Sequence, residues 1–213
     1  MGETQAAMSQ ELAQLYAEVR QCQRCILGKG RTLAVPGDGP ESARIMFIGE
    51  APGYHEDQQG KPFVGAAGKF LEELLAGVKL QRKDVYICNV IKCRPPGNRD
   101  PFPDELEACR PYLDRQIALI KPKIIITLGR FSMARYFPNQ SISKIHGQAK
   151  RFGATLVVPM FHPAAALHQP FYRSMIVEDF AKLPALLAEA DKMDASGAPD
   201  SGPPAQAQQL SLF

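Results

Sequence analysis

Four cysteines stand where they can chelate. Cys22-Gln-Arg-Cys25 is a CxxC pair, in which two thiolates of one tight turn point at a common centre, and Cys93 and Cys109 follow on either side of a Pro-rich loop. Together they suit a four-cysteine site for zinc or for an iron–sulfur cluster, and spacing does not separate the two. Competing readings are an incidental CxxC with small buried hydrophobes elsewhere, or a redox CxxC, which lacks the preceding strand of a thioredoxin-like arrangement. Cys88 lies in an apolar run and reads as a core residue. Three polar segments carry other reactive groups: Gly49-Glu50-Ala51-Pro52-Gly53, the stretch from Asn89 to Arg99, and His162-Pro163. A carboxylate, an amide and an imidazole can exchange protons and make directed hydrogen bonds. Taken singly, each segment is equally well a strand-ending turn or a structural histidine.

The elements that must position these groups alternate. Buried strands are expected at 43–50, 84–91, 123–129 and 154–161. Helical spacing of apolar residues marks 9–21, 66–78, 104–120 and about 174–191, with Pro111 expected to kink the third or delay its start. Strands alternating with helices predict an α/β fold, three-layer α/β/α with a central four-stranded parallel sheet. Ligands of such sheets bind beyond the carboxyl ends of the strands. The GEAPG, NVIKCRPPGNR and FHPAAALH loops all follow strands, so they should converge on one cleft.

Composition sets the frame. The 213 residues are 45% hydrophobic and 22% charged, the mix of a globular domain, with a net charge of only +3 that permits nucleic-acid binding without requiring it. Five cysteines, an odd number, argue against a disulfide framework. No apolar run is long enough to span a membrane, and no basic-then-apolar leader opens the chain, so a cytoplasmic protein is expected. The domain is expected over 1–191, with 192–213 a flexible Ala-, Gly-, Pro-, Ser- and Gln-rich tail.

Three stretches, GEAPGYHEDQQGKPFVGAAGKFL (49–71), NVIKCRPPGNRDPFPDELEACRPYL (89–113) and HPAAALHQP (162–170), with CxxC ahead of them, closely resemble the family 4 uracil-DNA glycosylases across nearly all of residues 10–185. The resemblance implies a hydrolase that cleaves the N-glycosidic bond of deoxyuridine in DNA, acting as a monomer. It also implies a structural 4Fe-4S cluster on Cys22, Cys25, Cys93 and Cys109. The target nucleotide must be flipped out of the duplex. Phe63 would stack on uracil, the Asn89 amide would read its edge, His162 would stabilise the oxyanion, and Glu50, Ala51 and Pro52 would complete the cradle. In the related family 1 enzymes an aspartate assists the attacking water; Ala51 matches it here, which leaves Glu50 as the nearest carboxylate. Family 1 excludes thymine with a tyrosine whose place is taken by Gly53, so Glu56 is the candidate wall. Lys61, Lys92, Arg94, Arg99, Lys150 and Arg151 are candidate phosphate contacts, and Leu167 is a candidate wedge for the gap left by the flipped base. A variant of the fold bonds covalently to the abasic sugar through a histidine between its third and fourth cluster cysteines. RPPGNRDPFPDELEA, between Cys93 and Cys109, has none, so turnover is expected. A non-catalytic nucleic-acid-binding module with a four-cysteine metal site would leave the uracil-shaped set of groups unexplained. A small redox protein would leave the three loops without a role.

The last five residues carry a separate signal. Gln209-Leu210-Ser211-Leu212-Phe213 resembles the short peptides by which bacterial proteins dock on the DNA polymerase sliding clamp. Leu210, Leu212 and Phe213 would fill apolar subsites and Gln209 would offer its amide. The alternative is a small apolar cap folded back on the domain.

Overall fold

The computed structural model describes residues 2–195, with side chains described over 10–193. The order is α1 (Gly2–Gln21), α2 (Leu27–Gly30), β1 (Ile45–Gly49), α3 (Tyr54–Gln59), α4 (Ala66–Gly77), β2 (Tyr86–Asn89), α5 (Pro103–Ile120), β3 (Ile124–Leu128), α6 (Arg130–Ala134), α7 (Ile142–Ile145), β4 (Lys150–Phe152), β5 (Thr155–Met160), α8 (Pro163–His168), α9 (Phe171–Ala181) and α10 (Leu183–Ala195).

Every residue of β1, β2 and β3 is buried, because both faces of the sheet are covered. Side chains alternate between two cores. Met46, Ile48, Tyr86, Cys88, Ile125 and Val157 pack under α1 and α5. Ile45, Phe47, Ile87, Ile126, Val158 and Met160 pack under α4, α9 and α10. The result is the expected three-layer α/β/α arrangement, with Cys88 a core residue as its apolar run implied.

The sheet differs from expectation in one strand. Its order is β2-β1-β3-β5-β4, with the first four parallel and β4 antiparallel to β5. β4 carries exposed Lys150 and Arg151, so no apolar pattern announced it; charge on a short edge strand blunts further pairing. Arg151 sits opposite Leu156, near the amino-terminal end of β5 and away from the carboxyl-end cleft. Lys150 and Arg151 therefore leave the set of cleft phosphate contacts.

The C-terminal helix is two helices, α9 and α10. Pro184, in the first turn of α10, has no N–H to continue the preceding ladder. Helix α10 runs to Ala195, past the expected boundary at 191. Pro111 does not delay α5, which starts at Pro103, a favoured first-turn residue. Among the described residues no helix is long and apolar enough to cross a membrane. Gln209, Leu210, Leu212 and Phe213 lie outside the described residues.

Because β1 connects onward to β2 on one side while β3 lies on the other, a crevice opens above their carboxyl ends. Gly49, Asn89, Gly129 and His162 all stand at that rim, at or just after the ends of β1, β2, β3 and β5.

Candidate active site

Asn89 ends β2, paired in register with Gly49 of β1. The strand ends are locked together by the Val90 N–H donating to the Gly49 carbonyl (3.0 Å) and the Ile91 N–H to the Glu50 carbonyl (3.1 Å). Asn89 is only 1% exposed, yet its side-chain Oδ1 has no hydrogen-bond partner among the described residues. A buried acceptor without a donor costs about 1–3 kcal/mol. Gly49 makes room for this amide and for Phe63: a Cβ there would meet Asn89 Oδ1 and lie 2.8 Å from the Phe63 ring.

Phe63 holds an unusual backbone, φ 52°. That left-handed conformation costs a bulky residue roughly 1–3 kcal/mol and persists only when its surroundings impose it. Arg82 imposes it by donating to the Phe63 carbonyl (3.0 Å) and the Pro62 carbonyl. Gly68 permits it, since a Cβ at 68 would overlap the Phe63 carbonyl. The ring then stacks on His162, with centroids 5.3 Å apart and planes 27° apart.

His162 caps α8. Its Nδ1 accepts the Ala164 N–H (3.1 Å), which places the proton of the neutral ring on Nε2. Burial pushes its pKa down to about 4, with Glu56 opposing. The ring is therefore a neutral donor near neutral pH.

Glu56 is fully engaged: its carboxylate accepts from Gly53 N (3.1 Å), Val64 N (2.9 Å) and Gly65 N (2.9 Å). It braces the turn into α3 against the Phe63 loop. A Cβ on Gly53 would lie 2.8 Å from Glu56 Oε2, so the carboxylate fills the space beside Gly53. Glu50 is half-buried, Ala51 packs on the core beneath it, and Pro52 is buried. Burial raises the Glu50 carboxyl pKa; Asp100 adds to the rise, while Arg130 counters it.

The four predicted ligand cysteines converge. Cys22, Cys25, Cys93 and Cys109 line one pocket with Val19, Arg31, Lys92 and Tyr112. As the side chains stand, no group of three or more His, Cys, Asp or Glu among the described residues could hold one metal ion. Donors reach the sulfurs: Arg31 Nη1 to Cys93 Sγ (2.9 Å), Lys92 N to Cys109 Sγ (3.2 Å) and Arg24 N to Cys22 Sγ (3.5 Å). Such bonds tune thiolate ligands. Burial pushes the Cys109 thiol up to about 12 and raises Cys93, which Arg31 opposes.

One expected DNA contact is corrected. Lys92 is 1% exposed, and its Nζ donates to the Asn89 carbonyl (2.7 Å) and Gln116 Oε1 (2.6 Å). An ammonium spent this way inside the core cannot meet a phosphate. Arg99 makes a two-pronged bond to buried Glu105 (2.9 and 2.6 Å) and lies 3.7 Å from the Phe102 ring centroid, with its side chain part-exposed. Arg94 makes no ion pair among the described residues: it donates to Asn98 (2.7 Å) and lies over Tyr54, which is 54% exposed. Lys61 is exposed, and Leu167 on α8 is 48% exposed, as a wedge requires. Sequence reading missed Arg82, Arg31 and Gln116. None carries a local signal, because each acts on partners distant in the chain.

The uracil DNA glycosylase superfamily profile matches residues 36–183. A type-4 uracil-DNA glycosylase of Sulfurisphaera tokodaii is 49% identical over 182 residues, 81% of this chain and 83% of that protein. That of Saccharolobus solfataricus is 52% identical over 176 residues (78% and 82%), and that of Thermotoga maritima 42% over 179 residues (81% and 93%). A match of this extent across the cleft loops makes the chain a member of the type-4 uracil-DNA glycosylase family, within the uracil DNA glycosylase superfamily.

Proposed function

We propose that this protein hydrolyses the N-glycosidic bond of deoxyuridine in DNA, releasing free uracil and leaving an abasic site, the first step of base excision repair. The observation that carries the reading is Asn89 Oδ1, a buried acceptor awaiting a donor. The N3–H of uracil is such a donor, and O4 can accept from the same amide. Cytosine has no N3–H and presents an amino group where uracil has O4, so it would leave the buried amide unpaired. Sites of this kind reject the wrong ligand far better than apolar pockets do.

The flipped base lies against Phe63, and the bond from N1 to the sugar C1′ breaks with its electron pair passing into the uracil ring. His162 donates Nε2–H to the developing oxyanion, and its neutral state means no proton need be supplied beforehand. Water adds to C1′ and its proton passes to Glu50. Burial makes that carboxylate a stronger base than an exposed one. Glu56 and Gly53 form the wall against the thymine methyl. Product leaves without covalent capture, since no histidine lies between Cys93 and Cys109.

Cys22, Cys25, Cys93 and Cys109 would hold a 4Fe-4S cluster. Four thiols lining one pocket, with N–H donors on three of the sulfurs, suit a thiolate-held cluster. Bound there, the cluster supplies covalent cross-linking of α1, the segment after β2, and α5. Arg94 contacts phosphate, Leu167 fills the gap left by the base, and Arg99 shapes the Pro-rich loop beside the DNA. The protein works as a cytoplasmic monomer, and Gln209–Phe213 dock on the DNA polymerase sliding clamp. The tail would then raise the local concentration of enzyme at replicating DNA. Incubation with a uracil-containing oligonucleotide followed by alkali should cleave the strand at uracil; an intact strand would refute the assignment.

A further inference from the structure

Lys92 does something its surface-seeking chemistry does not explain. It is fully buried, and among the described residues no carboxylate pairs with it. Burying an ammonium without a counter-charge is expensive, and an apolar residue of the same length would pack there at lower cost. Its contacts run in two directions. Nζ donates to the backbone carbonyl of Asn89 (2.7 Å), while its backbone N–H donates to Cys109 Sγ (3.2 Å) and the residue is one of those lining the four-cysteine pocket.

Gln116 extends the connection. Its Oε1 accepts from Lys92 Nζ (2.6 Å), and its Nε2 donates to the Pro36 carbonyl and the Tyr86 hydroxyl, both 2.8 Å. Tyr86 in turn meets Tyr16 of α1 (2.7 Å). One buried polar chain thus joins α1, which leads into Cys22, and α5, which carries Cys109, to the strand end that presents Asn89.

We infer that Lys92 is a positioning residue that lets the cysteine centre set the base-reading amide: its backbone N–H holds Cys109 Sγ and its ammonium clamps the Asn89 carbonyl. The inference rests on the glycosylase reading and on an anionic centre bound by the thiolates. Such a centre supplies the missing counter-charge, and the ammonium carries its presence to Asn89 through one hydrogen bond. A cross-link alone would not need a cation at this place.

The test compares the wild type, Lys92→Met and Gln116→Met as purified, iron-loaded proteins. Readouts are iron and labile sulfide per chain, inhibition by free uracil, kcat and KM on uracil-containing DNA, and the uracil-to-cytosine excision ratio. Loss of a hydrogen bond to a charged group corresponds to roughly a ten- to hundredfold effect. Lys92→Met should weaken inhibition by free uracil by that factor and lower kcat and the uracil-to-cytosine ratio, with little change in KM for DNA. It should also lose colour faster under chelation. Gln116→Met leaves Lys92 in place but loosens it, and should give a smaller shift in the same direction; it carries the test if Lys92→Met does not fold. Unchanged uracil inhibition and base ratio in a folded variant would overturn the inference while leaving the glycosylase reading intact. A wild type that excises no uracil refutes that reading, and this inference with it.

Discussion

Replacing Asn89 with Ala should separate stability from function. The side chain is 1% exposed with Oδ1 unpartnered, so the ligand-free fold carries about 1–3 kcal/mol of unrecovered desolvation. Removing the amide relieves this, against the loss of its packing on Gly49 and Phe63, a small cavity term of about 1 kcal/mol. The balance lies between neutral and about 2 kcal/mol stabilising. In a domain of this size that is a melting temperature unchanged or raised by roughly 2–8 °C. Function moves the other way. Two lost bonds to uracil, at about 1–1.5 kcal/mol each, slow single-turnover excision by roughly thirty- to 150-fold and weaken binding of free uracil in proportion. Scanning calorimetry with and without uracil measures both. The wild type should gain stability as uracil is added, and Asn89→Ala should not. A variant melting well below wild type would show that the amide serves the fold rather than waiting for a base, and the argument would fail.

His162→Ala should slow excision about a hundredfold or more with little change in DNA binding, the cost of losing an oxyanion donor; near-wild-type single-turnover rates would remove His162 from the mechanism. Because the folded pKa of His162 is about 4 against an ordinary 6.5, the unfolded chain binds the extra proton first as pH falls. Its contribution is thus a stability penalty, absent above pH 6.5, that grows down to about pH 4. The fall in melting temperature over that window should be shallower in His162→Ala, and equal slopes would contradict the assigned burial. Purified protein should be brown with iron and labile sulfide each near four per chain, roughly the content of one cluster. Cys93→Ala should lose colour and stability while Cys88→Ala stays brown; stoichiometric zinc without sulfide would rule the cluster out. Ending the chain at Gln208 should abolish binding to the sliding clamp in calorimetric titration and leave excision from short oligonucleotides unchanged, and equal binding by both forms would reject the docking role.

Local sequence determined much of this protein, because much of it is written in short-range chemistry. Continuous apolar runs such as IMFIG and IIITL are strands covered on both faces, and each precedes a polar loop, so four parallel strands and their carboxyl-end cleft followed directly. The CxxC turn and the two later cysteines suggested one centre, with other uses of the thiols left open by spacing, and the fold brings all four to one pocket. Charge was the misleading signal. A lysine in KCRPPGNR reads as a DNA contact, yet Lys92 lies in the core, since its neighbours Asn89, Gln116 and Cys109 come together only when β2 packs on α5. Lys150 and Arg151 looked like part of the cleft until strand pairing put β4 at the far end of β5. Tertiary structure alone decided the backbone of Phe63. Its left-handed conformation is imposed by Arg82 and allowed by Gly68, and neither role is visible in a linear pattern. Propensities and motifs report what a residue can do with its neighbours in the chain. Burial and distant partners determine which of those possibilities survives folding.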